Sequence, residues 1–376
     1  MHLRGRSSEA DHSSVLVLIE RADRSRYYEG SLPILREAGY DVGLVTVLPA
    51  GKIHKALSED GIRVASLGCH GSAQYPRGVA KLARIIRQQK PDLIHAHEPI
   101  PGVIAGAARR VSGVHPHLLL HRHHSEVFGV QRALSRVASG ASDRTLGVSL
   151  DALDAAGGSD HVMPDRQSLA WNGVPELRDV SADEIRALRS GLGLTEECIL
   201  AVTVARLRPE KGLLTLINAM SRVEDERIHL AIVGDGPLCG ELGSAVSGAS
   251  LVDRVHLVGE RSDVAPWYRA AEFVVVPSLS EPFGLVAIEA GAAERPVIAS
   301  HVGGLSESIV GGETGLHVPP GDAVSLARAI SCLAENPEER SRLGTAGRSR
   351  YEELFTIDAM AQRWIDGYEV ALADPH

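Results

Sequence analysis

Short apolar runs alternate with stretches of helical spacing through most of the chain. Val15-Leu-Val-Leu-Ile19 is the first run, and an unbroken apolar segment of this length reads as a parallel strand buried on both faces. Tyr28 to Ala38 then places Leu32, Leu35 and Ala38 at helical spacing and stops at Gly39, a residue suited to a helix end. The alternation recurs. Strands are predicted at Asp41 to Val47, Ile62 to Leu67, Leu93 to Ala96, Leu118 to His121 and Arg144 to Val148. Helices fall between them at Ile53 to Asp60, Arg77 to Gln89, Gly102 to Val111 and about Phe128 to Gly140. Such a series predicts an open parallel sheet with helices on both faces.

After Ser149 the rhythm breaks, and Ala155 to Gln167 is rich in Gly, Asp and Pro, as a linker would be. A second series follows, with strands at Ile199 to Ala205, His229 to Val233, Val255 to Val258, Phe273 to Val276, Val297 to Ala299 and Gly315 to Val318. Its helices include Gly212 to Met220, Gly240 to Ser247, Val264 to Ala271, Phe283 to Ala293 and Val324 to Glu335. Two helical stretches close the chain, Pro337 to Leu354 and Ile357 to Leu372. The fold class is therefore α/β, with two Rossmann-like, doubly wound parallel-sheet domains facing across a cleft. The expected division is a disordered tail over 1–14, an N-terminal domain over 15–155, a linker over 156–171, a C-terminal domain over 172–356 and a final helix over 357–376. Ligands of such sheets bind at the carboxyl ends of the strands.

A chain of 376 residues suits two domains. Its formal charge of −9 argues against nucleic acid as a partner, which demands a dense basic surface. Cys69, Cys198, Cys239 and Cys332 show neither metal-ligand spacing nor a disulfide framework, and are expected to be buried, reduced thiols in a cytoplasmic protein. The first 14 residues carry charge without an apolar core, and no run approaches a membrane span. The helix Arg77 to Lys90 has Arg77, Lys81 and Arg84 on one face. That stripe suits peripheral contact with an anionic membrane, but a solvated outer face is favoured for an acidic protein.

The chemistry concentrates around Glu281-Pro-Phe-Gly-Leu-Val-Ala-Ile-Glu289, which follows an apolar strand and opens a helix. Pro282 suits the turn, and Gly284 lets backbone amides approach a ligand at the positive end of the helix, which makes an anion site. Glu281 and Glu289 supply carboxylates that can accept from sugar hydroxyls. Arg206 and Lys211 put two cations after the strand ending at Ala205, where they can clamp a diphosphate. Gly234-Asp-Gly-Pro departs from a dinucleotide fingerprint and reads as a tight turn.

These motifs, with Gly303-Gly304-Leu305-Ser306-Glu307 and Thr314-Gly-Leu-His-Val-Pro319, resemble the GT-B-fold retaining glycosyltransferases of family 4. The interval from Glu281 to Glu289 matches that family's Glu-x7-Glu motif. The likeness is strong from Asn172 onward and looser before it, resting there on Pro91-Asp-Leu-Ile-His-Ala-His97, His121 to Ser125 and Ser142 to Ser149. It implies a retaining hexosyltransferase that takes a nucleotide diphosphate sugar, UDP-sugar favoured over GDP-sugar, as donor substrate, and a small-molecule, glycan or lipid hydroxyl as acceptor. Arg206 and Lys211 would hold the diphosphate and Glu281 the transferred sugar. The Phe283, Gly284 and Leu285 amides would lie near sugar and phosphate, and Glu289 would hold the ribose. Arg261, in the loop Gly259 to Asp263, is placed near the base. A histidine at the reacting centre is also implied: His121, His123 and His124 compete, and His123 is favoured because a strand ending at Arg122 presents it first. The chain has no Asp-x-Asp dyad for a divalent ion on the diphosphate, so the expected transfer uses neither metal nor cofactor. The resemblance also implies that the last helix crosses back to the N-terminal domain.

Where the family often has a Gly-Gly loop, this chain has Glu20-Arg-Ala-Asp-Arg-Ser-Arg-Tyr27, from which Arg24 or Tyr27 is expected to touch substrate. Two alternatives share the donor: a nucleotide-sugar 2-epimerase of the same fold and a non-catalytic nucleotide-sugar sensor.

Overall fold

The computed structural model describes residues 13–23, 25–124, 129–160 and 162–374. The chain divides into two compact units: one runs to Pro175 and is completed by the segment from Ile357, and the other spans Glu176–Thr356. Each unit is built on one parallel sheet.

The first sheet holds β1 (Ser14–Ile19), β2 (Asp41–Thr46), β3 (Arg63–Ser66), β4 (Leu93–His97), β5 (His117–Arg122), β6 (Arg144–Gly147) and β7 (Gln167–Leu169), in the order β3-β2-β1-β4-β5-β6-β7. The second holds β8 (Ile199–Val204), β9 (Ile228–Val233), β10 (Val255–Gly259), β11 (Phe273–Val276), β12 (Val297–Ser300) and β13 (Gly315–Val318), in the order β10-β9-β8-β11-β12-β13. In both sheets the order reverses beside the first strand, at β1/β4 and at β8/β11. Doubly wound sheets open a crevice at that reversal, at the strands' carboxyl ends.

The continuous apolar runs form strands because both of their faces are covered. Leu16 and Leu18 pack on one side of the first sheet with Leu82, Ile86 and Ile104. Val15 and Val17 pack on the other with Leu32, Leu35 and Tyr40. The helix Ile357–Ala373 belongs to this second layer, because Ile357, Met360, Trp364, Tyr368 and Ala371 recur at helical spacing and all join it. Gly30 permits its approach, since a Cβ there would lie 3.1 Å from Ile357 Cγ2.

The stretch expected to be a linker is ordered differently. The helix Leu150–Asp160 forms with the Ser149 hydroxyl accepting from the Ala152 amide at 3.0 Å, and β7 then adds an edge strand against β6. Of the tail expected over 1–14, residues 1–12 lie outside the described residues, and Ser14 belongs to β1, its amide donating to Asp92 Oδ2 at 2.7 Å. A helix at Ala182–Gly191 was not predicted, although Ser181 and Glu184 form its capping box. Only Cys69 is a buried thiol, while Cys239 and Cys332 are exposed. The helix Tyr75–Gln89 buries Leu82, Ala83 and Ile86 and leaves Arg77, Lys81 and Arg84 exposed. Among the described residues no helix is long and apolar enough to cross a membrane.

Candidate functional site

In the second unit the loops after β8 and β11 meet at the sheet's reversal point, and glycines let them touch. Gly212 has φ +64°, and a Cβ there would stand 2.0 Å from the Pro277 carbonyl oxygen. Only glycine fits. The contact is sealed by the Leu279 amide, which donates to the Glu210 carbonyl at 2.8 Å. As a result Lys211 Nζ lies 2.6 Å from Glu281 Oε2, which also accepts from Ser278 Oγ at 3.1 Å. Both side chains of the ion pair are largely buried, at 23% and 14% exposure, so the pair is held in place and only lightly screened. Glu281 Oε1 has no partner among the described residues and can accept from a hydroxyl. Arg206 is exposed, and its guanidinium has no partner among them either.

Gly284 caps the helix Leu285–Ala292 at φ +92°, with a Cβ position 2.4 Å from Leu305 Cδ2. The amides of Phe283, Gly284 and Leu285 donate to no backbone carbonyl among the described residues. They are the orphan donors at a helix start that attract anions. Gly304 supports this loop from behind: its amide donates to the Glu281 carbonyl at 3.0 Å, and a Cβ on it would meet the Pro282 oxygen at 2.2 Å. Gly234 and Gly236 act alike, pressing the turn after β9 onto the Ala205 and Leu207 carbonyls beside Arg206.

Glu289 lies about one turn into the helix, which starts at Leu285. Its Oε2 accepts from the Tyr268 hydroxyl at 2.6 Å. Burial, and then the neighbouring Glu289 carboxylate, push the Tyr268 phenol well above its ordinary range, so it stays a donor. Arg261 stands apart. It follows β10, the edge strand, is exposed, and donates to the carbonyl of its own neighbour Glu260 at 3.0 Å.

The first unit builds its site from imidazoles. His95 and His97 alternate on β4, and His97 pairs across the sheet with His121 of β5. A period of two puts all three rings on one face, and His123, just past β5, continues the row. His97 Nδ1 lies 2.9 Å from His123 Nε2, His95 Nε2 lies 3.1 Å from His121 Nδ1, and His95 Nδ1 lies 2.7 Å from the Tyr368 hydroxyl. Burial drives the pKa of His95 and of His123 down to about 3, and those of His97 and His121 well below the usual range. All four rings are neutral at pH 7. His97 Nε2 and His121 Nε2 are buried without a hydrogen-bond partner. A buried N–H without an acceptor is the rarer orphan, so we assign the protons of His97 and His121 to Nδ1. His123 Nε2 then accepts from His97, and its own proton sits on Nδ1.

Around this row, the His123 amide donates to Glu98 Oε1 at 3.1 Å, and exposed His124 approaches the same oxygen at 3.6 Å. Glu98 has φ +79°, a strained setting for a non-glycine residue at a strand's carboxyl end. Burial raises its carboxyl pKa, with His124 opposing. Tyr27 packs edge-on to His97 and His123, with its hydroxyl on Asn172 Oδ1 at 3.1 Å, so it forms a wall of the row. Arg24 lies outside the described residues. The sequence reading assigned no role to His95, Glu98, Tyr268, Ser278 or Tyr368. The paired His-x-His spacings at 95/97 and 121/123 are the signal that would have found the histidine row.

Residues 184–350 match the family model described as Glycosyl transferases group 1, and residues 17–141 match one described as Glycosyl transferase 4-like. The chain is 34% identical over 226 residues to a D-inositol 3-phosphate glycosyltransferase of Streptomyces scabiei (strain 87.22), across 56% of this chain and 50% of that protein. A D-inositol 3-phosphate glycosyltransferase of Frankia alni (strain DSM 45986 / CECT 9034 / ACN14a) is 31% identical over 321 residues, 75% of each chain. The chain spans about half the length of the Streptomyces relatives it matches. Among solved structures, Anabaena Alr3699/HepE in complex with UDP-glucose superposes with a TM-score of 0.83 at 22% identity, over 96% of this chain and 100% of that one. A sucrose-phosphate synthase from Thermosynechococcus elongatus gives 0.77 at 25% identity, over 96% and 99%.

Proposed function

Because this chain belongs to the group 1 glycosyl transferases, we propose that it moves a hexosyl group from a nucleotide diphosphate sugar to a hydroxyl acceptor. Configuration is retained, and no metal is needed on the diphosphate. The observation that carries this reading is the Lys211–Glu281 pair, on loops that also present Gly284-loop amides and an Arg206 guanidinium with no partner among the described residues. Arg206, Lys211 and the helix amides hold the diphosphate and take up charge as the nucleotide leaves, the work a metal does elsewhere. Glu281 accepts from the sugar's hydroxyls through Oε1, steadied by Lys211 and Ser278. Glu289, oriented by Tyr268, holds the ribose, and Arg261, exposed on the loop after the edge strand, would have to swing from its Glu260 contact to reach the base. His123 offers its Nδ1–H to the transferred sugar.

A UDP-sugar is the favoured donor. For the acceptor, relatives named for D-inositol 3-phosphate support a phosphorylated polyol, one member of the hydroxyl class expected. The test is a thermal-shift screen of UDP-, GDP- and ADP-sugars with and without EDTA, followed by a nucleotide-release assay with acceptor. One nucleotide should raise Tm by the same increment in chelator, and release should require acceptor. An epimerase or a sensor would bind without acceptor-dependent release, and a shift abolished by EDTA would overturn metal independence. Glu281→Gln should impair sugar transfer while UDP binding persists, whereas selective loss of UDP affinity would contradict its role.

A further inference from the structure

The histidine row contains more than His123 needs. His95, His97 and His121 are 0%, 2% and 0% exposed, and their ring centroids lie 4.2 to 5.2 Å apart. One ligand atom from each lies within 4.8 Å of the others. His97 leaves Nε2 buried with no partner, and His121 Nε2 makes no hydrogen bond of good geometry, with the Ala170 backbone near its ring, a costly arrangement for polar atoms in an interior. Of their other nitrogens, His97 Nδ1 is tied to His123 and His95 Nδ1 to Tyr368, while His121 Nδ1 pairs with His95 Nε2, the one bond that loading would exchange for the ion. Histidines that ligate a metal show this pattern, with one nitrogen fixed by a second group so that the other presents its lone pair.

From this geometry we infer that His95, His97 and His121 bind one divalent transition-metal ion of the zinc type. His97 and His121 ligate through Nε2. His95, held at Nδ1 by Tyr368, turns its Nε2 from His121 to the ion as third ligand. Three neutral imidazoles without a carboxylate suit Zn²⁺, Co²⁺, Ni²⁺ or Cu²⁺ and disfavour Mg²⁺ and Ca²⁺. Nitrogens at tetrahedral Zn²⁺ stand roughly 3.3 Å apart for bonds of about 2.0–2.1 Å, so the rings draw inward on loading. The ion ties β4 and β5 to one another and, through the His95–Tyr368 bond, to the helix Ile357–Ala373. It sits behind His123 and is distinct from the diphosphate, so it does not depend on the proposed transfer and leaves donor binding metal-free.

Trp364 supplies a reporter, since its ring lies 5.0, 5.3 and 5.8 Å from those of His95, His97 and His121. The full chain is loaded with Co²⁺ or Zn²⁺ during refolding and then desalted. One retained ion per chain, the visible absorption of tetrahedral nitrogen-ligated Co²⁺, and quenching of the Trp364 emission that is absent in Trp364→Phe would support the site. The paired substitution His97→Ala with His121→Ala should abolish retention. His301→Ala should not, although His301 and His317 form another close ring pair, 4.8 Å apart, in the second unit. If the paired variant fails to fold, X-ray absorption of the zinc-loaded unaltered protein decides by ligand identity. Three imidazoles support the inference. No retained ion, sulfur ligation, or retention undiminished by the paired substitution overturns it.

Discussion

The two units share the strand order around their reversal points, the first adding β7 at one edge, and carry opposite chemistry there: the charged loops flank the reversal itself, while the imidazoles stand one strand over, on β4 and β5. Beside β8 and β11 the loops carry charge, with Lys211 locked on Glu281 and Arg206 left open, and glycines let backbone meet backbone. On β4 and on and just past β5 stand four imidazoles, kept neutral by burial and hydrogen-bonded to one another and to Tyr368. The fold supplies a crevice in each unit, and the side chains decide what it binds. A charged, partly open crevice suits an anionic ligand. A dry imidazole row suits proton donation to a neutral one.

The largest effect that separates the units is their response to acid. His95 and His123 have folded-state pKa values of about 3 against 6.5 unfolded. Because the folded values are depressed, their contribution is whole above 6.5 and is lost as pH falls from there toward 3. At pH 5 each ring costs about 2 kcal/mol, or about 4 kcal/mol for the two. Glu98 opposes this, since its raised carboxyl protonates earlier in the folded state. Urea unfolding at pH 7.5 and 5.0 in chelator, read from single-tryptophan variants retaining Trp364 or Trp267, checks it. The Trp364 transition should move far more than that of Trp267, whose unit holds only partly buried histidines. Equal shifts would mean that the imidazole row is not the acid-labile element.

Next in size is Lys211→Ala. Removing the cation should lower kcat/KM by roughly 10²–10³, about 3–4 kcal/mol of transition-state stabilisation. The unit should stay folded, because Lys211 packs into no core cluster. Steady-state kinetics beside a melting curve separate the two. Unchanged turnover in a folded variant would remove Lys211 from the phosphate clamp.

The same contrast explains what the sequence could disclose. The charged crevice was legible because its parts are short motifs on two loops, each next to an apolar strand, and because positive-φ glycines at 212 and 284 mark themselves. The imidazole row was half legible. His123 stood out, but the face shared by His95, His97 and His121 exists only through the β4/β5 register, and the Tyr368 partner of His95 comes from a helix 273 residues away. The missed β7 has three half-buried residues and no apolar run, and it forms because β6 offers an edge. The helix Leu150–Asp160 hid behind Gly157 and Gly158, poor helix formers that this chain nevertheless carries within a helix. Tyr268 was silent because burial alone explains an aromatic residue, and only its hydroxyl's partner gives it a role.

That partner gives the smallest and most selective prediction. Tyr268→Phe keeps the ring, which is fully buried, and removes one hydrogen bond of 2.6 Å to Glu289 Oε2. A charge-assisted bond of this kind contributes about 1.5 kcal/mol, so nucleotide affinity should fall roughly tenfold if Glu289 holds the ribose. The loss should appear in Kd for UDP and in KM for the donor, with kcat nearly unchanged, because Glu289 works equally in ground and transition states. Calorimetric titration of the variant with UDP and with the base-free sugar phosphate separates the cases. Weaker UDP binding with sugar-phosphate binding intact assigns Tyr268 to orienting the ribose acceptor. Unchanged UDP affinity would confine the Tyr268–Glu289 bond to packing the helix Leu285–Ala292, and would leave the charged crevice with a diphosphate clamp but no ribose contact from this helix.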